Sequence, residues 1–493
     1  MRRLDTWKWQ NFKKFSTSFW AKRNNSLPRK KIKYALLENV TIGPAVAEGN
    51  CIARIDNQVV FVKYAAPNDV ADIQITGKKK KFLEGKISNF HSKSELRTEP
   101  VCEHYGLCGG CKWQHLKYEE QLKFKQQQVL DAMQRIGGIT EFQCLPIVGC
   151  KDIYGYRNKL DMTFSNKAWV TQFNKENPEN FNALGFHIPG KFDKVLDIHH
   201  CHLMPEPLNE ITRSVKQFCE ENGYSFFDLR DQHGLMRNLL LRCNSDGQWM
   251  VLFSFFENDS EKINAILEYT KNTFPQISSL VYVVNEKRND TLNDLEIQLY
   301  YGDAYLIENL YGKKFKIRPQ SFFQTNTKQA ETLYQITGEF ADLKGTELVY
   351  DLYTGTGSIA IYLAEKAKHF VGIEYVEAAV MDARENMELN GVSNLEFYAG
   401  DMKDILTAEF IAENGKPDVV ITDPPRDGMH PAVVERLLEM EAPKMVYVSC
   451  NPATQARDAK MLSEKYRLVK IQPVDMFPHT HHVESVALFE LIN

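Results

Sequence analysis

Two stretches near the C-terminus carry the residue types of covalent catalysis. Met445-Val446-Tyr447-Val448 is an apolar, β-branched run that delivers Ser449-Cys450-Asn451-Pro452. A lone cysteine after a strand often packs as a small hydrophobe. At the mouth of a crevice, with a polar turn behind it, its thiolate would be the strongest nucleophile available. Phe477-Pro478-His479-Thr480-His481-His482-Val483-Glu484 then offers the Glu484 carboxylate for proton abstraction, although a strand-edge or capping acid has the same appearance. Its three histidines lack the helical i,i+4 pair of a zinc site. Upstream, Asp423-Pro424-Pro425-Arg426 has two prolines that fix the backbone and hold the flanking side chains rigid. Asp423 is suited to orienting a polar group, and Arg426 to pairing a phosphate or a developing oxyanion.

A second group of residues suits an adenosyl ligand. Asp351-Leu352-Tyr353-Thr354-Gly355-Thr356-Gly357-Ser358 runs from a strand into a helix, and its glycines allow a tight turn and close approach to a ligand. Alone it also fits a dinucleotide fingerprint. Glu374 ends the next strand, where a carboxylate takes two hydrogen bonds from ribose hydroxyls. Asp401, in Ala399-Gly400-Asp401, ends the third, within reach of an adenine-type amine. Any one of these acids is explained by a turn or a cap; their succession at strand ends favours an adenosyl ligand.

The third group is Cys102-x5-Cys108-x2-Cys111, with Gly109-Gly110 inside it. In a reducing compartment three clustered thiols more often bind metal than form disulfides. A tetrahedral ion or a [4Fe–4S] cluster needs a fourth ligand, and Cys201, in Ile198-His199-His200-Cys201-His202, is the candidate. The neighbouring histidines keep a Cys/His zinc site open, and chance clustering is the bland alternative. The three-then-two spacing of enzymes that generate an adenosyl radical is absent.

These residues need elements to hold them. Apolar strands alternate with helical patterns at Glu347–Leu352, His369–Ile373, Leu395–Tyr398, Asp418–Ile421 and Lys444–Val448. That alternation predicts an α/β, doubly wound parallel sheet with ligands beyond the carboxyl ends of the strands. Short β-branched runs at Ala45–Ile55, Val59–Tyr64, Asp69–Thr76 and Phe82–Phe90 predict a small β-barrel, with breaks at Asp56-Asn57 and Pro67-Asn68. Lys78 to Lys81 read as a charged hairpin turn, solvated or contacting phosphate. A helix is expected over about Tyr118–Ile136, and mixed strands and helices over 150–310.

Residues 1–33 hold eleven Lys/Arg and one acid, Asp5, among six aromatics. They read as a disordered tail, an RNA-grazing arm or a targeting segment. The predicted division is thus 1–33 basic tail, 34–93 barrel, 94–310 a central α+β domain bearing the cysteines, and 311–493 the doubly wound domain. At 493 residues and a net charge of -4 the chain is no polycation, so nucleic-acid binding must come from local patches. No stretch reaches the ~18 apolar residues of a membrane span and no export signal is evident, so a cytoplasmic protein is expected.

Taken together, the cysteine spacing with Gly109-Gly110, Asp423-Pro-Pro-Arg426, Ser449-Cys450-Asn451-Pro452 and His482-Val483-Glu484 resemble the S-adenosylmethionine-dependent RNA uracil-C5 methyltransferases. The resemblance is to the TRAM-domain, iron–sulfur type that acts on 23S ribosomal RNA, and covers roughly residues 35–493. It implies a Rossmann-like methyltransferase domain, an OB-like TRAM barrel for RNA, S-adenosyl-L-methionine as methyl donor and a [4Fe–4S] cluster on Cys102, Cys108, Cys111 and Cys201. Cys450 looks like the family's nucleophile and Glu484 like its base. Gln324, Tyr353, Ser358, Glu374, Asp401 and Asp423 match its cofactor positions, with departures at Thr354, where a cysteine is often found, and at Ser358, where an asparagine is common. The implied partner is 23S rRNA, with no membrane and no obligate protein partner. The competing readings are the same chemistry on tRNA, a non-catalytic RNA-binding protein keeping the fold, and an NAD-dependent oxidoreductase. The last explains neither Asp423–Arg426 nor Cys450.

Overall fold

The computed structural model describes residues 35–55, 58–170 and 181–492; the basic stretch 1–33 and the Asp56-Asn57 break lie outside them. Among the described residues no helix is long and apolar enough to cross a membrane.

The first sheet has five strands, Leu36–Thr41, Cys51–Ile55, Gln58–Lys63, Val70–Lys78 and Leu83–Ser92, in the spatial order first, fourth, fifth, third, second. Alternating inward residues Cys51, Ala53, Val60, Val62, Ile73 and Ile75 form its core, as a closed small barrel requires. The expected Ala45–Ile55 strand is shorter. Ala47–Gly49 forms a one-turn helix in which Glu48 (φ 63°) and Gly49 (φ 77°) are both left-handed, which ends strand geometry there. A first strand, Leu36–Thr41, was not anticipated, since it is mostly exposed and lacks a clear inside–outside alternation.

The helix Tyr118–Ala132, continued by a wider turn over Met133–Gly137, leads into a short strand, Gln143–Cys144. Next comes a seven-stranded sheet built from Lys159–Ser165, Ala183–Ile188, Lys191–Asp197, Met236–Cys243, Trp249–Phe255, Ile277–Val284 and Gln298–Gly302. Helices Leu208–Glu221 and Ser260–Thr273 pack on it through one apolar core.

The third layer system is an eight-stranded sheet. Reading across it, the order is Leu395–Ala399, His369–Glu374, Leu348–Leu352, Val419–Thr422, Lys444–Ser449, Glu484–Leu491, Tyr466–Val474 and Gln143–Cys144. The first five strands are parallel, and Glu484–Leu491 is antiparallel to its neighbours. Strand order reverses beside Leu348–Leu352, which opens the ligand crevice at the carboxyl ends. Strands buried on both faces, such as Met445–Val448, explain the continuous apolar runs. The chain therefore has the doubly wound α/β fold and the N-terminal barrel that its sequence pattern predicts.

Candidate active site

The nucleophile candidate and the base candidate emerge from adjacent strands. Lys444–Ser449 pairs with Glu484–Leu491 in a register that ends at Ser449↔Ser485. One further step along each strand places Cys450 beside Glu484. Asn451 caps the helix Pro452–Leu462 by accepting the Ala453 N–H (3.1 Å), with Pro452 at the first helical position. The same turn is fastened to the proline loop, since Asn451 Nδ2 (3.0 Å) and Thr454 Oγ1 (3.1 Å) both donate to the Arg426 carbonyl. Cys450 is half-buried, open to the crevice, and Glu484 is buried.

Burial dominates the electrostatics. It pushes the Glu484 carboxyl up to about 8, helped by Asp423 and opposed by Arg426. Burial, Glu484 and Asp423 push the Cys450 thiol up to about 12, again opposed by Arg426. Asp423 rises to about 7 through burial and its neighbour Asp351, which burial also raises to about 7. The crevice thus gathers acids whose ionisation burial and their mutual repulsion oppose. Burial, then Lys112, Lys125 and Arg426, depress His481 to about 4; burial, then His481, Arg426, Lys125 and Arg157, depress His482 to about 3, so both are neutral here.

The residues expected to hold an adenosyl group line the same end of the sheet. Gly355 (φ 57°) and Gly357 (φ 77°) make the turn, and a Cβ on Gly357 would sit 2.7 Å from the Phe397 ring. Glu374 accepts the Gly355 N–H (3.1 Å) and the Val376 N–H (2.9 Å), which fixes its carboxylate at the rim. Asp401 caps the short helix Met402–Ile405 and binds the Lys403 ammonium (2.8 Å), so a capping role alone accounts for its present contacts. Tyr353 is held at φ 62°, and Ser358 shares a hydrogen bond with the buried Tyr334 hydroxyl (2.8 Å). The Gln324 carbonyl accepts from Asn158 Nδ2 (3.0 Å), which docks the central sheet onto this loop. The open glycine turn, the rim carboxylate and the half-buried Asp423 fit a cationic adenosyl group.

The four cysteines converge at the central sheet. All are free thiols, and each of Cys102, Cys111 and Cys201 is raised by burial first and then by other members of the set, with Cys111 at about 12 and Cys201 at about 11. Hydrogen-bond donors surround them: Gln114 Nε2 reaches Cys111 Sγ (3.2 Å), and the His104 and Tyr105 amides face Cys102. Gly109 (φ 80°) lies where a Cβ would meet Pro189 at 2.4 Å, which accounts for the glycine inside the motif. Four clustered thiols, with amides aimed at sulfur, fit a cationic metal centre. Glu103, His104 and His199 also bring ligand atoms within 4.8 Å of one another, but His104 Nε2 already accepts the His199 amide (3.0 Å).

Several supporting residues escape a sequence reading. Gln455 and Asp458 are fully buried in the helix after Cys450. Asp458 accepts from the Met429 amide (2.8 Å) and the Tyr447 hydroxyl (2.7 Å). Their signal was available: both fall on the face of Ala456, Ala459 and Leu462 at helical spacing.

Comparison with known proteins identifies relatives of nearly the whole chain. Residues 298–491 match the tRNA (Uracil-5-)-methyltransferase family model and residues 38–88 the TRAM domain model. An RNA methyltransferase of Bacteroides thetaiotaomicron is 50% identical over 451 residues, covering 90% of this chain and 99% of the relative. One from Porphyromonas gingivalis is 52% identical over 452 residues, covering 90% and 97%. Among solved structures, the Pyrococcus abyssi tRNA (uracil-54, C5)-methyltransferase, in complex with S-adenosyl-L-homocysteine, aligns with a TM-score of 0.70 at 30% identity, covering 91% of this chain and all of that one.

Proposed function

The chain belongs to the S-adenosylmethionine-dependent RNA (uracil-5-)-methyltransferase family, and on that footing we propose that it methylates C5 of a uridine in 23S rRNA through a covalent adduct on Cys450. The observation that carries the reading is the Ser449↔Ser485 register, which sets a thiol and a carboxyl side by side at the crevice.

Uracil C5 is a weak carbon nucleophile, so direct attack on a sulfonium methyl is slow. The Cys450 thiolate adds to C6 and places the electron pair on C5, which takes up the methyl group as the sulfonium's S–CH3 bond breaks and S-adenosyl-L-homocysteine departs. Glu484 then removes the C5 proton as the sulfur–C6 bond breaks and the thiolate leaves. S-adenosyl-L-methionine supplies the methyl group, with Gln324, Tyr353, Ser358, Glu374, Asp401 and Asp423 as its binding residues. Its positive charge favours the ionised forms of Cys450, Asp423 and Glu484, which burial otherwise opposes. The target base must leave its stack to reach Cys450.

The same reading gives 34–93 to RNA binding, 94–310 to a [4Fe–4S] cluster on Cys102, Cys108, Cys111 and Cys201, and 311–493 to methyl transfer. The resemblance of the cysteine segment favours 23S rRNA. The tRNA activity in the name of the Pyrococcus abyssi relative favours a tRNA uridine as the second reading. Mass mapping of 5-methyluridine in rRNA and tRNA from cells with and without the gene separates them. Loss of the mark from 23S rRNA is expected, and loss only from tRNA selects the alternative. In vitro, Cys450→Ala abolishes methyl transfer and keeps RNA binding; full activity in that variant would end the proposal.

A further inference from the structure

The nine residues 475–483 that lead into Glu484 are gripped by parts of the chain outside the catalytic sheet. At their start, the fully buried Lys125 ammonium binds the Asp475 carboxylate (2.6 Å) and the Phe477 carbonyl (3.1 Å). At their centre stands His479, whose backbone is left-handed at φ 66°. A non-glycine residue is strained there and persists only where its surroundings over-determine it.

The surroundings do so at three points. The His479 carbonyl accepts from the Lys112 and Trp113 amides (2.8 and 2.9 Å), directly after Cys111. Its amide donates to Gln121 Oε1 (2.9 Å), and its Nδ1 accepts from Gln121 Nε2 (3.2 Å). Gln121 Nε2 also faces the Trp113 (3.1 Å) and Leu116 (2.9 Å) carbonyls, so one completely buried amide ties the cysteine segment and the base-bearing connection together.

We infer that Gln121, through His479, is a positioning residue for the base: it fixes the connection that aims Glu484 at C5 and therefore acts on proton removal, not on thiolate addition or methyl uptake. This rests on Glu484 as the base and Cys450 as the nucleophile. The two halves of the reaction separate with a 5-fluorouridine transcript. There the methylated adduct has fluorine in place of the C5 proton, so no proton can be removed and the sulfur–C6 bond persists.

The test uses full-length protein and in-vitro transcribed 23S rRNA made with uridine or with 5-fluorouridine. In Gln121→Leu, turnover on the uridine transcript falls about tenfold or more and a methylated, SDS-stable protein–RNA adduct accumulates. The rate of adduct formation on the fluorinated transcript stays within about twofold of the native rate. Should Gln121→Leu fail to fold, His479→Gly keeps the main-chain bonds, relaxes the backbone and removes the Nδ1 contact; the same partition is expected. Parallel loss of turnover and fluoro-adduct formation, or unchanged turnover in every variant that folds, overturns the inference. Glu484→Gln, run alongside, stalls at the methylated adduct. If it turns over normally, the reading of Glu484 as base falls; if it stalls while the Gln121 and His479 variants do not, only the present inference falls.

Discussion

Gln455 and Ser485 hydrogen-bond each other in both directions. The Ser485 hydroxyl donates to Gln455 Oε1 (2.6 Å), while Gln455 Nε2 donates to the Ser485 carbonyl (3.3 Å) and the Tyr447 carbonyl (2.9 Å). Ser485 adjoins Glu484, and Gln455 lies on the helix that Cys450 introduces, so this buried pair sets the spacing of thiol and carboxyl. Ser485→Ala removes one net hydrogen bond of ~1 kcal/mol and leaves a buried acceptor. Turnover is expected to fall about fivefold with methyl-donor affinity unchanged, measured by steady-state kinetics and calorimetry; a loss confined to donor affinity contradicts the assignment.

The raised carboxyls predict two pH responses. As a base acting after methyl uptake, Glu484 works deprotonated, so the rate at which the methylated adduct breaks down rises with pH until about 8, near tenfold per unit well below it. For stability the sign is opposite. The folded state holds the Glu484 proton up to about 8 while the unfolded chain releases it near 4.5, so folding stability declines as pH rises between those values. Glu484→Gln makes that decline shallower, the raised Asp351 and Asp423 supplying the remainder. Comparing Tm at pH 5.5 and 8 in both proteins checks it, and equal slopes refute it.

The proposed [4Fe–4S] cluster predicts a spectroscopic signature. Protein purified without oxygen is expected to be brown and to carry iron and sulfide, and Cys201→Ser to lose visible absorbance. Elemental analysis decides: a colourless, zinc-loaded native protein excludes the iron–sulfur assignment.

Gly357→Ala puts a methyl group 2.7 Å from Phe397 at a left-handed backbone position. Strain of about 1–3 kcal/mol follows, concentrated in the turn below the donor. A rise in the KM for S-adenosyl-L-methionine that exceeds the fall in kcat is expected; unaltered kinetics would show the turn to be uninvolved.

Much of this was legible because a few local patterns carry it. Apolar runs such as Met445–Val448 specify strands buried on both faces, and the acids at their ends follow from the topology. The barrel was harder, since Leu36–Thr41 is largely exposed and the left-handed Glu48 breaks the pattern of its neighbour. Tyr156, Arg157 and Asn158 form a loop before the strand Lys159–Ser165, because the Gly155 and Arg157 amides bond the His202 and Leu203 carbonyls and the Asn158 amide the Thr325 carbonyl. Arg237, in a basic run, is buried and clamps the carbonyls of Asn285, Lys287 and Asn289. Long-range partners of this kind, like Gln121 with His479, leave no periodic trace along the chain.

The strand Gln143–Cys144 closes the outer margin of the methyltransferase sheet, pairing with Lys470 and Ile471, while the amides of Leu145 and Val148 bond the carbonyls of Ile471 and Pro473. Backbone from before residue 150 thus finishes a sheet whose remaining strands begin near 348. A fragment starting at residue 311 would bare that ladder of unpaired amides and carbonyls, a template for self-association. The upstream segment is thus the seam of the methyltransferase sheet, and a domain cut free of it is expected to self-associate through the bared edge.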